Sequence, residues 1–174
     1  AASLDTFGGP AGLLQRIDVR RKGKKASDPF QVQVKVGRYS FNLTDVGYGV
    51  SQALPILVDC TLAAPFSTFL LQQPEVHLHP RAQAELANFF AELAKRDRKR
   101  FIVETHSDYL LDRGRLLVRQ AVLKPAEVVI LFFSRGKKDV TIHPIHLDDT
   151  GALIDVPPGY RSFFLEERRQ LLGV

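Results

Sequence analysis

Hydrophobic and polar positions change period several times along the chain, and each change predicts an element. Residues 1–12 (AASLDTFGGPAG) carry no clear period and read as a loop or linker. Leu13 to Val19 fits a short helix or a strand equally well. Gln31 to Val36 alternates strictly, Gly37-Arg38 turns, and Tyr39 to Leu43 alternates again, which predicts a β-hairpin with one wet face. After Gly47-Tyr48-Gly49 a helix is expected from Ser51 through Cys60, with Pro55 tolerable only in its first turn.

Beyond this point short apolar runs alternate with helical periods. Phe66 to Leu71 predicts a buried strand. From Pro80, apolar residues at Ala82, Leu86, Phe89, Phe90 and Leu93 repeat as one face of an amphipathic helix. Phe101-Ile102-Val103 predicts a second buried strand, followed by a helix over about Ser107–Ala121. Glu127 to Phe133 predicts a third strand, and Val140 to Ile145 pairs back on it as a hairpin within 128–146. Strands separated by helices imply crossover connections and a mainly parallel sheet, so the runs near 66–71, 101–104 and 127–133 are expected side by side and parallel. Pro157-Pro158-Gly159 breaks the chain before a last helix from about Phe164 to Leu172.

Composition narrows the class. The 174 residues are 45% hydrophobic and 25% charged, a balance that fits one globular domain. Glycine and proline number 12 and 10, too few for collagen-like or broadly disordered chains. The single cysteine, Cys60, lies in an apolar stretch and reads as a buried thiol, an economy that fits a reducing, cytoplasmic setting. No apolar run is long enough for a membrane helix. There is no methionine at all, so the chain is expected to be a piece of a longer protein.

The 24 Lys and Arg outnumber the 19 Asp and Glu, and the excess is clumped. One cluster is Arg16, Arg20, Arg21, Lys22, Lys24 and Lys25; a second is Lys95, Arg96, Arg98, Lys99 and Arg100; a third is Arg135, Lys137 and Lys138. Such clusters can neutralise the phosphates of a nucleic acid. Solvated surface is the plainer reading, and the second cluster closes a helix, where cations suit the dipole. The first is the strongest candidate for DNA.

In a parallel sheet, functional loops leave the carboxyl ends of the strands. Two strands here end in polar clusters: Leu71 runs into Gln72-Gln73-Pro74-Glu75-Val76-His77-Leu78-His79-Pro80, and Val103 into Glu104-Thr105-His106-Ser107-Asp108. Ahead of both, Gly47-Tyr48-Gly49-Val50-Ser51-Gln52 opens a helix, where free backbone N–H groups and a hydroxyl can meet an anion.

This order of motifs resembles the C-terminal half of an ABC-type ATPase domain of the SMC-like and OLD-like, AAA-like kind, as in bacterial ATPases of DNA repair and phage defence. Leu71 to Pro80 is similar to the strand end and following loop that carry the Walker B acids. Asp45 to Leu57 (DVGYGVSQALPIL) is similar to the signature segment, and Thr105-His106-Ser107 to the switch-histidine loop. The resemblance implies an α/β fold, a partial P-loop NTPase lobe with a mainly parallel sheet flanked by helices and a β-hairpin near each end. It implies residues 1–30 as a linker or the end of an upstream insertion, 31–150 as the lobe, and 151–174, with its Pro158-Gly159 and Phe163-Phe164, as a short C-terminal module.

For the site, the resemblance implies ATP and Mg²⁺ bound at a dimer interface. Gln72, Gln73 and His106 then take the catalytic positions. Gly47, Gly49, Ser51 and Gln52 address a partner protomer's nucleotide, and Glu75 and His79 belong to the loop after Walker B. Two departures bear on this. No G-x-x-x-x-G-K-[ST] phosphate loop occurs, so the Walker A motif is expected in an N-terminal half. The Walker B acids fall at Gln72 and Gln73, and an amide supplies neither charge to the metal's water shell nor a base for the attacking water. Metal holding by Gln72 would be indirect and weakened.

The leading function is therefore the C-terminal part of an ATPase that switches an effector, DNA-directed or a nuclease or toxin, as a homodimer or higher oligomer. The alternative is a catalytically inactive module for nucleotide sensing or structural interaction. A third class, a metal hydrolase on His77, His79 and His106, needs those rings to converge. A triad of Ser107, His106 and Asp108 is disfavoured, because adjacent residues do not readily align nucleophile, base and orienter.

Overall fold

The computed structural model describes residues 2–25 and 27–173; Ala1 and Val174, at the tips of the expected linker and tail module, lie outside the described residues, as does Ala26. The chain divides into two compact units, one ending at Gly114 and the other beginning at Arg115.

The first unit starts with a correction. Residues Ala2–Ala11 form helix α1 in place of the expected loop. Phe7 anchors it, 2% exposed, with its ring edge-on to Phe89 at 5.8 Å. Tertiary burial thus outweighs the poor helix propensity of Gly8, Gly9 and Pro10. The ambiguous stretch that follows becomes strand β1 (Arg16–Arg21), which pairs antiparallel with β2 (Phe30–Val36); β2 pairs with β3 (Tyr39–Asn42), as the alternation predicts. Helix α2 (Tyr48–Leu62) begins three residues before Ser51, so Pro55 sits inside it and not in its first turn. Pro55 has no N–H to offer the Ser51 carbonyl four residues back, a gap the helix tolerates near its start. Val50 of α2 packs with Leu14 and Val34 in a small core that joins the helix start to the three-stranded sheet.

Strands β4 (Thr68–Gln72) and β5 (Arg100–Glu104) pair in parallel, linked by helix α3 (Pro80–Asp97). The residues of the predicted amphipathic face, Ala82, Leu86, Phe89, Phe90 and Leu93, are all buried. Phe101 stacks between Phe69 and Phe90, at 5.3 and 4.7 Å, so one face of the parallel pair is packed against α3. Its other face is bare: Leu70 is 76% and Ile102 59% exposed. Parallel sheets are normally covered on both faces.

Helix α4 (Asp108–Arg119) spans the division between the units. In the second unit, β6 (Ile130–Arg135), β7 (Val140–Leu147) and β8 (Leu153–Ile154) form an antiparallel sheet, with helix α5 (Ser162–Leu172) near the end of the chain. The expected hairpin is present, but β6 is not the third parallel strand: it belongs to this separate sheet. Its apolar residues alternate in exposure, Leu131 and Phe133 lying half open, so the run is not the fully buried strand its composition suggested.

The second basic cluster is also revised. The Lys99 side chain is 1% exposed, and its Nζ donates to the Cys60 and Thr61 carbonyls at 2.8 and 3.3 Å and pairs with Asp97 at 2.9 Å. It satisfies carbonyls that the end of α2 leaves without helical partners. The Arg96 guanidinium, then the Lys99 ammonium, hold the Asp97 carboxyl well below the usual carboxylate range. Lys99 is a structural cation, out of reach of phosphates. The residues of the first cluster are exposed along β1 and the turn after it, and those of the third in the β6–β7 turn.

Candidate functional site

The site is built by two strand ends and one helix start, all within the first unit. Gln72 closes β4 and Glu104 closes β5, and the two are register partners in the parallel pair. Both fall on the bare face, and both are exposed. Gln73, one residue on, adopts φ 44°, in the left-handed region. Its N–H donates to the Glu104 carbonyl at 2.8 Å, and its Nε2 reaches Glu104 Oε1 at 3.4 Å.

Glu75 is the centre of the loops. It is 4% exposed, and its Oε1 accepts from the Thr105 hydroxyl and from the His106 N–H at 3.1 Å. Thr105 Oγ1 in turn accepts from the Ser107 N–H at 3.0 Å. Ser107 Oγ donates to Gln83 Oε1 at 2.6 Å and accepts from the Leu110 N–H at 3.1 Å, which caps the start of α4. Gln83 Nε2 donates to the Leu78 carbonyl at 2.8 Å. The network ties the loop after β4, the loop after β5 and the first turn of α3 into one unit. It fixes the backbone of His106 while the residue itself stays exposed. Glu75 Oε2 is buried without a hydrogen-bond partner.

His79 caps α3: its Nδ1 accepts from the Ala82 N–H at 3.4 Å, and Pro80 follows at the first helical position. His77, at φ 68°, sets its ring edge-on to Tyr48 at 4.6 Å. Each histidine is therefore engaged separately. Among the described residues no group of three or more His, Cys, Asp or Glu side chains could hold a metal ion, so His77, His79 and His106 do not converge. The hydrolase reading loses its geometry.

The start of α2 lies against the loop after β4. A Cβ on Gly49 would stand 2.6 Å from the His77 carbonyl oxygen, closer than real Cβ atoms come. Gly47 caps the helix with no side-chain bond to its first N–H groups. Ser51 Oγ donates to the Tyr48 carbonyl at 2.9 Å, so its hydrogen is turned back into its own helix while its lone pairs remain. Gln52 is exposed. The sequence motifs Gly47–Gln52 and Gln72–His79 thus meet in space, and His106 joins them through Glu75. Gln83 lies outside the sequence motifs, and Glu104 and Tyr48 lie within them but are assigned no role there. Register with Gln72 is the signal for Glu104, and it becomes readable only once β4 and β5 are paired.

Residues 17–112 match the family model described as "AAA domain, putative AbiEii toxin, Type IV TA system". No curated protein matches the chain. Several solved structures share its fold. One, from work on the ATP-driven dimerization and DNA-stimulated activation of SMC ATPases, superposes with a TM-score of 0.59 at 16% identity, over 97% of this chain and 88% of the other. A second, an SMC head bound to the C-terminal winged-helix domain of ScpA, gives 0.58 at 15% identity over 84% and 41%. A third, the SMC head with an extended coiled coil bound to the C-terminal domain of ScpA, derived from Pyrococcus furiosus, gives 0.57 at 15% identity over 99% and 37%. The chain spans less than half the length of the last two. At such identities the likeness is one of fold.

Proposed function

Given that this chain belongs to the AAA domain family matched over residues 17–112, we propose that it is the C-terminal part of an ABC-type ATPase that binds and hydrolyses ATP at a dimer interface to switch an effector. The observation that carries the reading is the shared edge: Gln72 and Gln73 at the end of β4, and His106 held by Glu75 after β5. In this reading His106 donates from its ring to the γ-phosphate of its own protomer's nucleotide. Gln72 and Gln73 present amide oxygens and N–H groups beside it. The unsealed start of α2, with Gly47, Gly49, Ser51 and Gln52, addresses the partner protomer's nucleotide through backbone N–H groups and the helix dipole. The shallow approach that Gly49 permits brings that helix start onto the loop after β4.

The donor set fits a hard cation with phosphates attached. Mg²⁺ takes oxygen ligands, keeps several waters and needs only one or two protein carboxylates beside the phosphates, so the absence of a carboxylate cluster is no obstacle. When bound, Mg²⁺ supplies charge neutralisation on the phosphate oxygens.

The bare sheet face, with Leu70 and Ile102 open, supports a Walker A-bearing N-terminal part as the layer that completes the domain. In this scheme residues 31–150 form the lobe, 1–30 lead in from an insertion, and 151–174 are an appended module. The exposed first basic cluster supports a DNA-directed effector over a nuclease or toxin of other target, in the setting of DNA repair or phage defence. Among the described residues no helix is long and apolar enough to cross a membrane, and we place the protein in the cytoplasm.

A second reading, a nucleotide-sensing or structural module without turnover, is favoured by one observation: neither Walker B position carries a carboxylate. Equilibrium binding and turnover of ATP by the complete protein, with and without Mg²⁺, test both. Mg²⁺-dependent binding with turnover supports the first reading; binding without turnover supports the second; no nucleotide binding overturns both.

A further inference from the structure

Gln72 and Gln73 leave the end of β4 without negative charge, yet the edge itself is not neutral. Glu104, the last residue of β5, is the register partner of Gln72. In a parallel pair, register partners project to the same face, and here that face is the exposed one. The carboxylate is therefore beside Gln72, displaced from β4 by one strand spacing, about 4.8 Å. Gln73 fixes it from the other side: its N–H holds the Glu104 carbonyl at 2.8 Å, and its Nε2 lies 3.4 Å from Oε1. One carboxylate oxygen is thus oriented by an amide and the other is left open.

A glutamate at Gln73 would face this carboxylate, and two like charges at that separation disfavour one another. A glutamine there removes the repulsion and donates a hydrogen bond instead. The amides at Gln72 and Gln73 and the carboxylate of Glu104 thus form one arrangement, with the negative charge of this edge on β5 and not on β4. Glu75, the other nearby carboxylate, is buried: its Oε1 is committed to Thr105 and His106, and its Oε2, though without a partner, is closed off from solvent, whereas Glu104 stands exposed on the open face.

We propose that Glu104 is the anionic residue of this site toward Mg²⁺, holding the cation or its bound water from the end of β5, with Gln73 as its positioning residue. This rests on the nucleotide reading above. An amide oxygen at Gln72 can accept a hydrogen bond from a metal-bound water but adds no charge, whereas a single carboxylate beside substrate phosphates suffices for this ion.

The test uses the complete protein with a non-hydrolysable ATP analogue, and Mn²⁺ in place of Mg²⁺ so that free metal is read by electron paramagnetic resonance. Glu104→Gln is exposed and isosteric, and its thermal unfolding is recorded alongside. The expected result is Mn²⁺ affinity in the presence of the analogue reduced at least tenfold, with metal-free analogue binding within twofold of the unsubstituted protein. Adding Gln72→Glu to Glu104→Gln returns the carboxylate to β4 and should recover most of the lost metal affinity. Mn²⁺ affinity within threefold of the unsubstituted protein overturns the proposal and leaves the nucleotide reading standing. Equal loss of analogue affinity with and without metal also overturns it, by assigning Glu104 a general role in folding the edge. If the unsubstituted protein binds no analogue under either condition, the nucleotide reading fails first and this inference falls with it.

Discussion

The α-carbon of Gly49 faces the carbonyl oxygen of His77 so closely that a Cβ would stand 2.6 Å from it. The helix start that bears the signature-like segment and the loop after β4 are therefore locked in one arrangement by the absence of a side chain. In an isolated helix Gly→Ala is stabilising by about 1 kcal/mol. Here the obstacle is backbone, which cannot swing aside, and we expect Gly49→Ala to destabilise the first unit by about 1–3 kcal/mol. Gly47→Ala, with nothing within 4 Å of its Cβ, is the control and should cost less than about 1 kcal/mol. Urea unfolding of both variants separates a steric from a propensity effect.

Glu75 is expected to act on both stability and chemistry. Glu75→Ala leaves the Thr105 hydroxyl and the His106 N–H, both part-buried, without their acceptor. Each lost bond to a charged acceptor is worth about 1.5–3 kcal/mol, so unfolding should shift by several kcal/mol. Glu75→Gln keeps an acceptor for both donors and should lose less. If the two substitutions are equally mild, the loop network does not depend on this carboxylate.

How much of this was legible beforehand depends on the length of the interaction that decides each element. The α3 face was readable because Ala82, Leu86, Phe89, Phe90 and Leu93 repeat within one helix. The hairpins were readable because alternation and turn lie within a dozen residues. Helix α1 was not, since its glycines look like linker residues. In the structure Gly8 is a packing residue, its absent Cβ lying 2.5 Å from the Leu14 side chain. The fate of β6 was hidden for a similar reason: an apolar run does not say which strand it will pair with, and β7, a turn away, wins. At the site, Gln72, Gln73 and His106 could be picked out by motif, while Glu104 needed the register of β4 on β5, and Glu75 needed the fold of two loops 30 residues apart.

Lys99 should be among the most sensitive basic residues. Lys99→Met takes the buried donor from the Cys60 and Thr61 carbonyls, while Asp97 keeps Arg96 as its cation; stranding buried carbonyls in this way costs about 1–3 kcal/mol. Arg98, exposed and 6.0 Å from the Phe66 ring, should lose under about 1 kcal/mol on change to Ala. Thermal unfolding of the pair checks that the basic cluster is split between structure and surface.

Burial pushes the Cys60 thiol up to about 11 from an ordinary 9.0, against the opposing pull of Lys99. The raised value means that the folded state keeps the proton in the interval where the unfolded chain has released it. Stability from this thiol is therefore full below pH 9 and declines as pH rises toward 11. Two pKa units correspond to about 2.7 kcal/mol at most. Cys60→Ala should flatten that alkaline decline, at the cost of a small cavity at all pH. Alkylation of Cys60 should track unfolding, because the residue is 1% exposed. Fast alkylation of the folded chain, or an unchanged pH profile in Cys60→Ala, would count against the burial.

The cross-protomer arrangement makes the sharpest prediction. If Ser51 serves the partner's nucleotide and His106 its own, each composite site of the dimer draws one residue from each chain. His106→Ala in the complete protein should lower turnover roughly a hundredfold, the usual effect of losing one donor to developing charge. A variant blocked at Ser51 by a larger side chain should be comparably slow, since Ser51 lies in the first turns of α2, whose start carries no side-chain cap. In a mixed dimer of the two variants, one composite site then carries both defects and the other carries neither, so partial turnover returns. Were the two residues to serve one nucleotide within a protomer, each site of the mixed dimer would keep one defect and both would stay slow. Turnover measured in dimers held together by the non-exchanging, differently tagged chains distinguishes the two outcomes, and absence of recovery there rules out action in trans.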